Sequence, residues 1–290
     1  MDNRFRLYIG LMRDSTWFNY AIVDEIKGGS LAVLDGVNKT GSARLFNLVK
    51  GAVKKLYSED GIEYELQDKD YSDIRVDDCW KIALECMRQF NTGKKMDFEE
   101  YFYCDVCSRP GRERYTKVEE SWHELIEQGF IDEHFVDTEE CGWWTELPVG
   151  VEIEGNRVVR GGNYKKIKQE PLTLGEIIKI QSMPELIESE SSMIYAIWDA
   201  QIKEIEGMSQ RDLNILVKRN PKDSFSKKYI IHQSDIDSMS ASDIPIGLDG
   251  RYRSVQCQNC QSEIGGYLDF TNFFEFLFPK PSSRNGGMVI

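Results

Sequence analysis

Two short stretches of the sequence carry residues that can bind a metal ion. Cys104-Asp-Val-Cys107 and Cys257-Gln-Asn-Cys260 are both C-x2-C pairs, the spacing that lets two thiolates turn back onto one ion. Four cysteines in two such pairs match the ligand set of a closed, tetrahedral structural zinc site. Strand-forming residues and glycine- or proline-containing turns flank each pair. The sequence therefore predicts a zinc ribbon with Cys104, Cys107, Cys257 and Cys260 as its ligands.

The distance between the two pairs is unusual. Residues 108–256 separate them, whereas an ordinary ribbon has about 15–20 residues there. We therefore expect a ribbon that is split by a large insertion, with a metal cross-link that stabilises the fold by closing this loop. Two alternatives stay open: the four thiols are unrelated, or one pair recruits His123, His134 or Cys141. The histidines of that second set have a spacing that fits no common zinc motif.

Catalytic motifs are missing from the sequence. It contains no G-x-S-x-G, G-x-x-x-x-G-K-[ST] or H-E-x-x-H pattern, and its three histidines form no recognisable dyad. A zinc ion with four cysteine ligands has no open coordination position for Lewis-acid chemistry. The sequence therefore predicts a protein that is not an enzyme.

Composition limits the class of protein. The 290 residues are 41% hydrophobic and 29% charged, as is ordinary for a globular protein. No apolar run reaches the length of about 18 residues that a membrane span needs, and the residues after Met1 do not resemble a secretory signal. Seven cysteines, mostly in C-x2-C pairs, favour metal binding in the reducing cytoplasm over disulfides. The net charge of −13 disfavours general nucleic-acid binding and favours protein partners.

The N-terminal region, residues 1–103, lacks proline and is predicted to be mixed α/β. Apolar runs predict strands near Arg6–Met12, Phe18–Val23 and Ser30–Leu34. Helices are expected from Ser42, as N-cap, to an end at Gly61, and over Asp77–Phe90. On the apolar face of the second helix, Cys79 and Cys86 are expected to be small buried hydrophobic residues rather than ligands.

The rest of the chain is predicted to hold the ribbon and its insertion. The ribbon comprises residues 104–118 and 250–278, the insertion residues 119–249, and the C-terminal tail residues 279–290. Alternation predicts a hairpin over Val149–Val159, but the insertion as a whole is predicted to be mainly helical. Its helices are expected at 118–128, from N-cap Thr173 with Glu176 as capping box to about Met183, and at 191–206. The predicted fold class is thus α+β, a zinc-ribbon-like module with a long insertion and an N-terminal mixed α/β region.

Several segments resemble a known group of proteins. They are Val255-Gln-Cys-Gln-Asn-Cys260 with Glu263, Leu268-Asp-Phe and Phe273-Phe-Glu-Phe; the cysteine-containing helix before Cys104; and the segments 147–153 and 171–177. Together they resemble baseplate hub and hub-assembly proteins of tailed bacteriophages, mainly over residues 75–108, 147–180 and 252–278. The resemblance implies a virion structural or assembly component in a hetero-oligomeric complex with other tail or baseplate proteins. It also implies a location in the host cytoplasm during assembly and in the virion tail.

A second hypothesis from a different class is a zinc-ribbon adaptor for nucleic acid or transcription. Basic residues beside the first pair would then contact phosphates, together with the basic segment 218–228. They are Arg109, Arg112, Arg114 and Lys117.

Trp143-Trp144 is an alternative contact site for a protein partner, although such a pair more often covers a core.

Overall fold

A computed structural model of the chain contains strands and helices in alternating groups. It describes residues 4–24, 41–90, 97–107, 115–121, 127–129, 131–136, 141–154, 157–160, 162–183, 190–209, 213, 232–242, 246–250 and 252–267. The strands are β1 Phe5–Arg13, β2 Thr16–Ala21, β3 Lys55–Tyr57, β4 Glu63–Glu65, β5 Asp97–Tyr103, β6 Tyr115–Ser121, β7 Ile131–His134, β8 Trp143–Glu154, β9 Arg157–Arg160, β10 Tyr164–Gln169, β11 Ile202–Ile205, β12 Gly247–Gly250, β13 Tyr252–Gln256 and β14 Glu263–Tyr267. The α-helices are α1 Gly41–Ala52, α2 Val76–Phe90, α3 Leu174–Gln181, α4 Glu190–Gln201 and α5 Gln233–Ala241.

The chain divides into two compact units, and each is made of two separate pieces of sequence. The first unit comprises residues 1–86 and 135–247, and the second comprises residues 87–134 and 248–290. The predicted ribbon segments, 104–118 and 250–278, both belong to the second unit. Helices and antiparallel sheets occur together, which confirms the predicted α+β class.

The first unit is built around two four-stranded antiparallel sheets. One has the strand order β1-β2-β3-β4 and the other has the order β11-β10-β8-β9. Apolar residues of β1, α1, β3 and α2 fill the core beside the first sheet, and Leu7, Ile9, Leu45, Leu56 and Ile82 are almost fully buried. A second cluster packs α5 and β8 against β10 and β11. Burial of these side chains, at about 25 cal/mol per Å² of apolar surface, is the main stabilising contribution.

Within the first unit, backbone hydrogen bonds connect the start of helix α2 to the start of helix α3. The N–H of Val76 donates to the carbonyl of Leu172 at 2.9 Å, and the N–H of Leu174 donates to the carbonyl of Ile74 at 2.8 Å. Beside this ladder, the Arg75 guanidinium lies 2.7 Å from the Glu170 carboxylate and both are largely buried. These bonds satisfy backbone N–H groups at the starts of both helices, which would otherwise have no partner within the helix.

The second unit contains three short strand pairs, and the two longer ones are antiparallel. β5 pairs with β6, β13 pairs with β14, and β7 pairs with β12. The β5–β6 register runs from Asp97 opposite Ser121 to Tyr103 opposite Tyr115. Contacts between β14 and β5 bring the two longer hairpins together. Each of these two hairpins carries one C-x2-C pair.

Several local predictions are confirmed. Helix α2 lies where its apolar stripe placed it, and Cys79 and Cys86 are buried. Helix α1 starts at Gly41 as expected but ends at Ala52 rather than at Gly61, because Lys55–Tyr57 pairs with β2 and β4 as strand β3. Burial raises the pKa of Cys86 to about 12, so this thiol stays neutral. The hairpin of β8 and β9 pairs Val151 with Arg160 and Glu154 with Arg157. Ser42, in contrast, lies inside α1 rather than at its N-cap, and its hydroxyl donates to the side-chain oxygen of Gln181.

Three predictions of helix were wrong. Over its described residues the insertion 119–249 is not mainly helical, because β8, β9, β10 and β11 form a sheet within it. Residues 118–121 belong to strand β6, whose pairing with β5 outweighs the local helical pattern. The predicted helix over 191–206 ends at Gln201, and Ile202–Ile205 becomes an edge strand beside β10. In each case a paired strand supplies the backbone hydrogen bonds.

Several predictions lie outside the described residues. They are the strand at 30–34, the basic segment 218–228, the aromatic residues at 270–278 and the tail 279–290.

The capping box of α3 is present as predicted and gives a direct test. The hydroxyl of Thr173 accepts from the N–H of Glu176 at 3.2 Å, and the Glu176 carboxylate accepts from the N–H of Thr173 at 2.9 Å. Thr173→Ala removes the first of these bonds, so we expect a loss of about 1 kcal/mol in the free energy of unfolding. Chemical denaturation would measure it. Thr173→Ser keeps the hydroxyl and should restore most of the stability; an equal loss in both variants would contradict the capping role.

Candidate metal centre

The two C-x2-C pairs lie at the ends of strands in the second unit. Cys104 directly follows β5 and Cys257 directly follows β13, and a tight turn carries the chain from each to its second cysteine. The turn after Cys257 is fixed by the backbone. The N–H of Gln261 donates to the Cys257 carbonyl, and the N–H of Cys257 donates to the Ser262 carbonyl, both at 2.9 Å. Gln261 adopts a φ of 62°, a left-handed conformation that reverses the chain into β14.

The structure brings the four cysteines together. Their sulfur atoms all lie within 4.8 Å of one another. The Sγ of Cys104 is 3.6 Å from that of Cys260, and the Sγ of Cys107 is 3.7 Å from that of Cys257. All four are free thiols, and these distances are far longer than the roughly 2.05 Å of a disulfide bond.

The spacing of the sulfurs fits a tetrahedral metal ion. Four metal–sulfur bonds of about 2.3 Å, the length found in zinc–cysteine sites, place sulfur atoms about 3.8 Å apart. The two closest cross-pairs are near that value, and each joins one cysteine of the first pair with one of the second. Within the described part of the chain, these cysteines are the single group of His, Cys, Asp and Glu side chains with this geometry. The cluster can therefore hold one metal ion.

Backbone and hydroxyl donors surround the second pair and favour its thiolates. Backbone N–H groups of Asn259 and Cys260 lower the pKa of Cys257. The hydroxyl of Ser262, followed by its backbone N–H, lowers the pKa of Cys260 to about 6. Such N–H···S bonds stabilise negative sulfur, which is the form that binds a metal.

The first pair is less favourable for free thiolates. The N–H of Cys107 lowers the pKa of Cys104, but burial and the neighbouring thiols outweigh it and raise this pKa to about 11. Cys104 and Cys257 are buried, whereas Cys107 and Cys260 are half-buried. Without a cation, four negative sulfurs at these distances would repel one another strongly. A bound cation would remove this repulsion.

The alternative ligand set is not supported by the residues that the structure describes. Cys141 lies in the first unit, where its Sγ accepts from the Arg75 guanidinium at 3.3 Å. In the second unit, His134 Nε2 lies 3.6 Å from an oxygen of Asp249 and outside the cysteine cluster. His123 falls outside the described residues.

Comparison with known proteins does not assign the chain to a family. No family model matches this sequence, and no curated protein or solved structure matches it either.

The structure describes only some of the residues that were predicted to contact nucleic acid or a protein partner. Arg109, Arg112 and Arg114 lie outside the described residues, and Lys117 belongs to β6. Trp143 and Trp144 have opposite environments: Trp143 is buried, but Trp144 remains 46% exposed on the outer face of β8. Val106, at the turn of the first cysteine pair, is 71% exposed. Among the described residues, no helix is long and apolar enough to cross a membrane.

Proposed function

We propose that the cysteine cluster binds one structural zinc ion in a protein that is a non-enzymatic component of a phage tail baseplate hub. The convergence of two distant C-x2-C pairs carries the zinc part of this proposal. The resemblance of residues 75–108, 147–180 and 252–278 to baseplate hub and hub-assembly proteins supports the second part. In this role the protein would bind neighbouring tail proteins in a hetero-oligomeric assembly, in the host cytoplasm and then in the virion tail.

The choice of zinc follows from the ligand chemistry. Four thiolates in a tetrahedral arrangement suit zinc or iron, and they exclude hard ions such as magnesium and calcium. Zinc is redox-inactive and commonly closes structural sites with four cysteines. All four positions of the ion would be filled by this chain, so no site would remain for a substrate. This supports a structural rather than a catalytic role.

The exposed tryptophan of β8 is the surface that we propose for a protein partner. Tryptophan is enriched among residues that dominate binding energy in interfaces, because its large flat surface gains much from burial. The cross-strand neighbour of Trp144 on β10 is Lys168, so an apolar ring lies beside a charge. A partner that covers the ring would gain apolar contact and could pair with this charge.

The first test is a pull-down of the tagged full-length protein from cells that produce it, with nuclease treatment and identification of all recovered components. We expect a few stoichiometric tail or baseplate proteins that resist nuclease. Trp144→Ala should weaken their recovery about tenfold or more, as expected for an interface hot spot. Ile62→Ala, which removes a comparably exposed apolar side chain from the turn between β3 and β4, is the matched control and should have no effect.

Other outcomes of the same experiment would change the assignment. Recovery of nucleic acid, or loss of all partners after nuclease, would favour the adaptor hypothesis instead. Recovery of tail proteins that is equally strong with Trp144→Ala would reject this tryptophan as the contact while leaving the hub assignment in place.

A further inference from the structure

Two strands of the first unit contain the same irregularity. In β1, the register with β2 moves from Arg6 opposite Tyr20 to Leu11 opposite Phe18, so four residues of β1 face one residue of β2. In β8, the register with β10 moves from Glu146 opposite Lys166 to Val151 opposite Tyr164, again four residues against one. Ordinary bulges insert one extra residue. A four-against-one bulge in both sheets is therefore an unusual match.

The two bulges also share sequence. They read Leu7-Tyr-Ile-Gly10 and Leu147-Pro-Val-Gly150. Both leucines are buried.

Each bulge ends in a glycine with the same constraint. The φ angles of Gly10 and Gly150 are +102° and +76°, a region that favours glycine. A Cβ would lie 2.8 Å from the carbonyl oxygen of Phe18 at Gly10, and 2.7 Å from that of Tyr164 at Gly150. The positive φ angle and the lack of room for a Cβ therefore both favour glycine at the last position of each bulge.

An aspartate closes each bulge in the same way. The N–H groups of Ile9 and Gly10 donate to the two carboxylate oxygens of Asp78, at 2.9 and 2.8 Å. The N–H groups of Val149 and Gly150 donate to Asp235, at 2.8 and 3.2 Å.

Both aspartates occupy the same place on a helix. Asp78 is the third residue of α2 and Asp235 is the third residue of α5, and both are fully buried. The bulged backbone has no ladder partner for its N–H groups, so a carboxylate at a helix N-terminus satisfies them. The same solution appears twice.

The elements around the two bulges follow one plan. The order along the chain is bulged strand, partner strand, helix, third strand and closing helix: β1, β2, α1, β3, α2 and β8, β10, α4, β11, α5. In both sheets the partner strand lies between the other two, and all of these pairs are antiparallel. The hairpin strand β9 and helix α3 are additions to the second set, and β4 is an addition to the first.

Buried residues match along the same alignment. Ala21 of β2 faces Leu56 of β3, and Ile167 of β10 faces Ile205 of β11; all four are buried. In the closing helices, the residues one and four positions after the aspartate are buried and apolar. They are Cys79 and Ile82 in α2, and Ile236 and Met239 in α5.

We propose that the first unit contains an internal duplication: residues 5–86 (copy 1) and 143–241 (copy 2) are two copies of one module, each closed by an aspartate bound to a four-residue bulge. Strand order, bulge length, glycine position, helix position and burial all agree, and each is independent of the others.

One difference between the copies allows a sharp test. The N–H of Tyr8 is a third donor to Asp78, but Pro148 stands at the equivalent position of copy 2 and has no N–H. The double variant Pro148→Tyr/Val149→Ile gives copy 2 the bulge sequence of copy 1. If the copies are equivalent, the new amide at position 148 should bind Asp235.

Amide hydrogen exchange of the full-length protein, followed by NMR, measures this. We expect the amide at 148 to exchange at least about tenfold more slowly than an unprotected amide, as for a hydrogen bond to a charged group. The amides at 149 and 150 should keep their protection. An unprotected amide at 148, with 149 and 150 still protected, would overturn the equivalence of the copies.

A second measurement does not depend on that variant. Gly10→Ala and Gly150→Ala should each lower the midpoint of thermal unfolding by several degrees, because both meet a carbonyl oxygen. Gly61→Ala is the control: its φ is +82°, but the nearest atom would be 3.6 Å away, so its loss should be smaller. Alanine tolerated at one bulge as well as at Gly61, and rejected at the other, would show that the two bulges are not equivalent.

Discussion

We expect Cys257→Ser to abolish binding of the metal ion proposed for the cysteine cluster and to unfold the second compact unit. Cys257 is buried and its sulfur lies 3.7 Å from that of Cys107, so its loss leaves three thiolates that no longer enclose the ion. Structural zinc contributes about 10–16 kcal/mol to the folding of small zinc domains. This exceeds or equals the whole stability of a typical domain, about 5–15 kcal/mol. The short strand pairs of this unit should therefore not remain folded without the ion.

The measurement is the metal content of the purified protein together with amide exchange across the second unit. The wild-type protein should carry one equivalent of zinc, and Cys257→Ser should carry almost none. Amides of β5, β13 and β14 should lose their protection in the variant, and a strong chelator should have the same effect on the wild type. Iron in place of zinc would revise the identity of the metal but not the site.

Cys141→Ser is the matched control for this experiment. It removes a half-buried thiol of the first unit that accepts a hydrogen bond from Arg75, and serine can still accept that bond. We expect unchanged zinc content and intact protection of β13 and β14. If Cys257→Ser kept a full equivalent of metal and its thermal stability, the zinc cross-link would be rejected.

Asp70→Ala should be strongly destabilising for the first unit. The fully buried Asp70 carboxylate accepts from Arg13 at 3.1 and 3.0 Å, from the Tyr64 hydroxyl at 3.0 Å and from the N–H of Gln67 at 2.8 Å. Its removal leaves these donors without a common acceptor. Breaking a buried ion pair from one side costs about 3–5 kcal/mol. Because the Arg13 side chain keeps some contact with water, we expect about 3 kcal/mol, measured by chemical denaturation.

Asp73→Ala serves as the control because it removes the other carboxylate that contacts Arg13. That side chain is more than half exposed, and exposed ion pairs contribute about 0–1 kcal/mol. We expect a loss of about 0.5 kcal/mol. Equal losses in the two variants would show that burial of Asp70 does not matter.

The same carboxylate predicts a pH dependence. Burial alone would raise the pKa of Asp70, but the Gln67 N–H, Arg13 and Tyr64 outweigh it and lower this pKa below its usual value. A group whose pKa is lowered by folding stabilises the fold above its unfolded pKa and loses this contribution as the pH falls. The difference in stability between wild type and Asp70→Ala should therefore shrink below about pH 4. A difference that grew toward acidic pH would contradict this assignment.

The amino-acid sequence determines the features whose causes lie within a few neighbouring residues. The capping box of Thr173 and Glu176, the stripes of α1 and α2 and the β8–β9 hairpin all follow from local spacing. The identity of the four cysteines follows in the same way, because a C-x2-C turn forms its half of a site from its own backbone. These features need no distant partner to be recognised.

Tertiary structure decides the features that depend on which segments meet. Residues 118–121 of β6 and strand β11 look helical in isolation and become strands because β5 and β10 supply their hydrogen bonds. The bulges of β1 and β8 can be recognised only when Asp78 and Asp235 lie against them, since only the leucine and the glycine of each four-residue bulge are identical. The meeting of the two cysteine pairs also depends on the fold, because residues 108–256 lie between them. Buried backbone donors and thiolates must be satisfied, and those of the two bulges and of the cysteine cluster find their partners in distant parts of the chain.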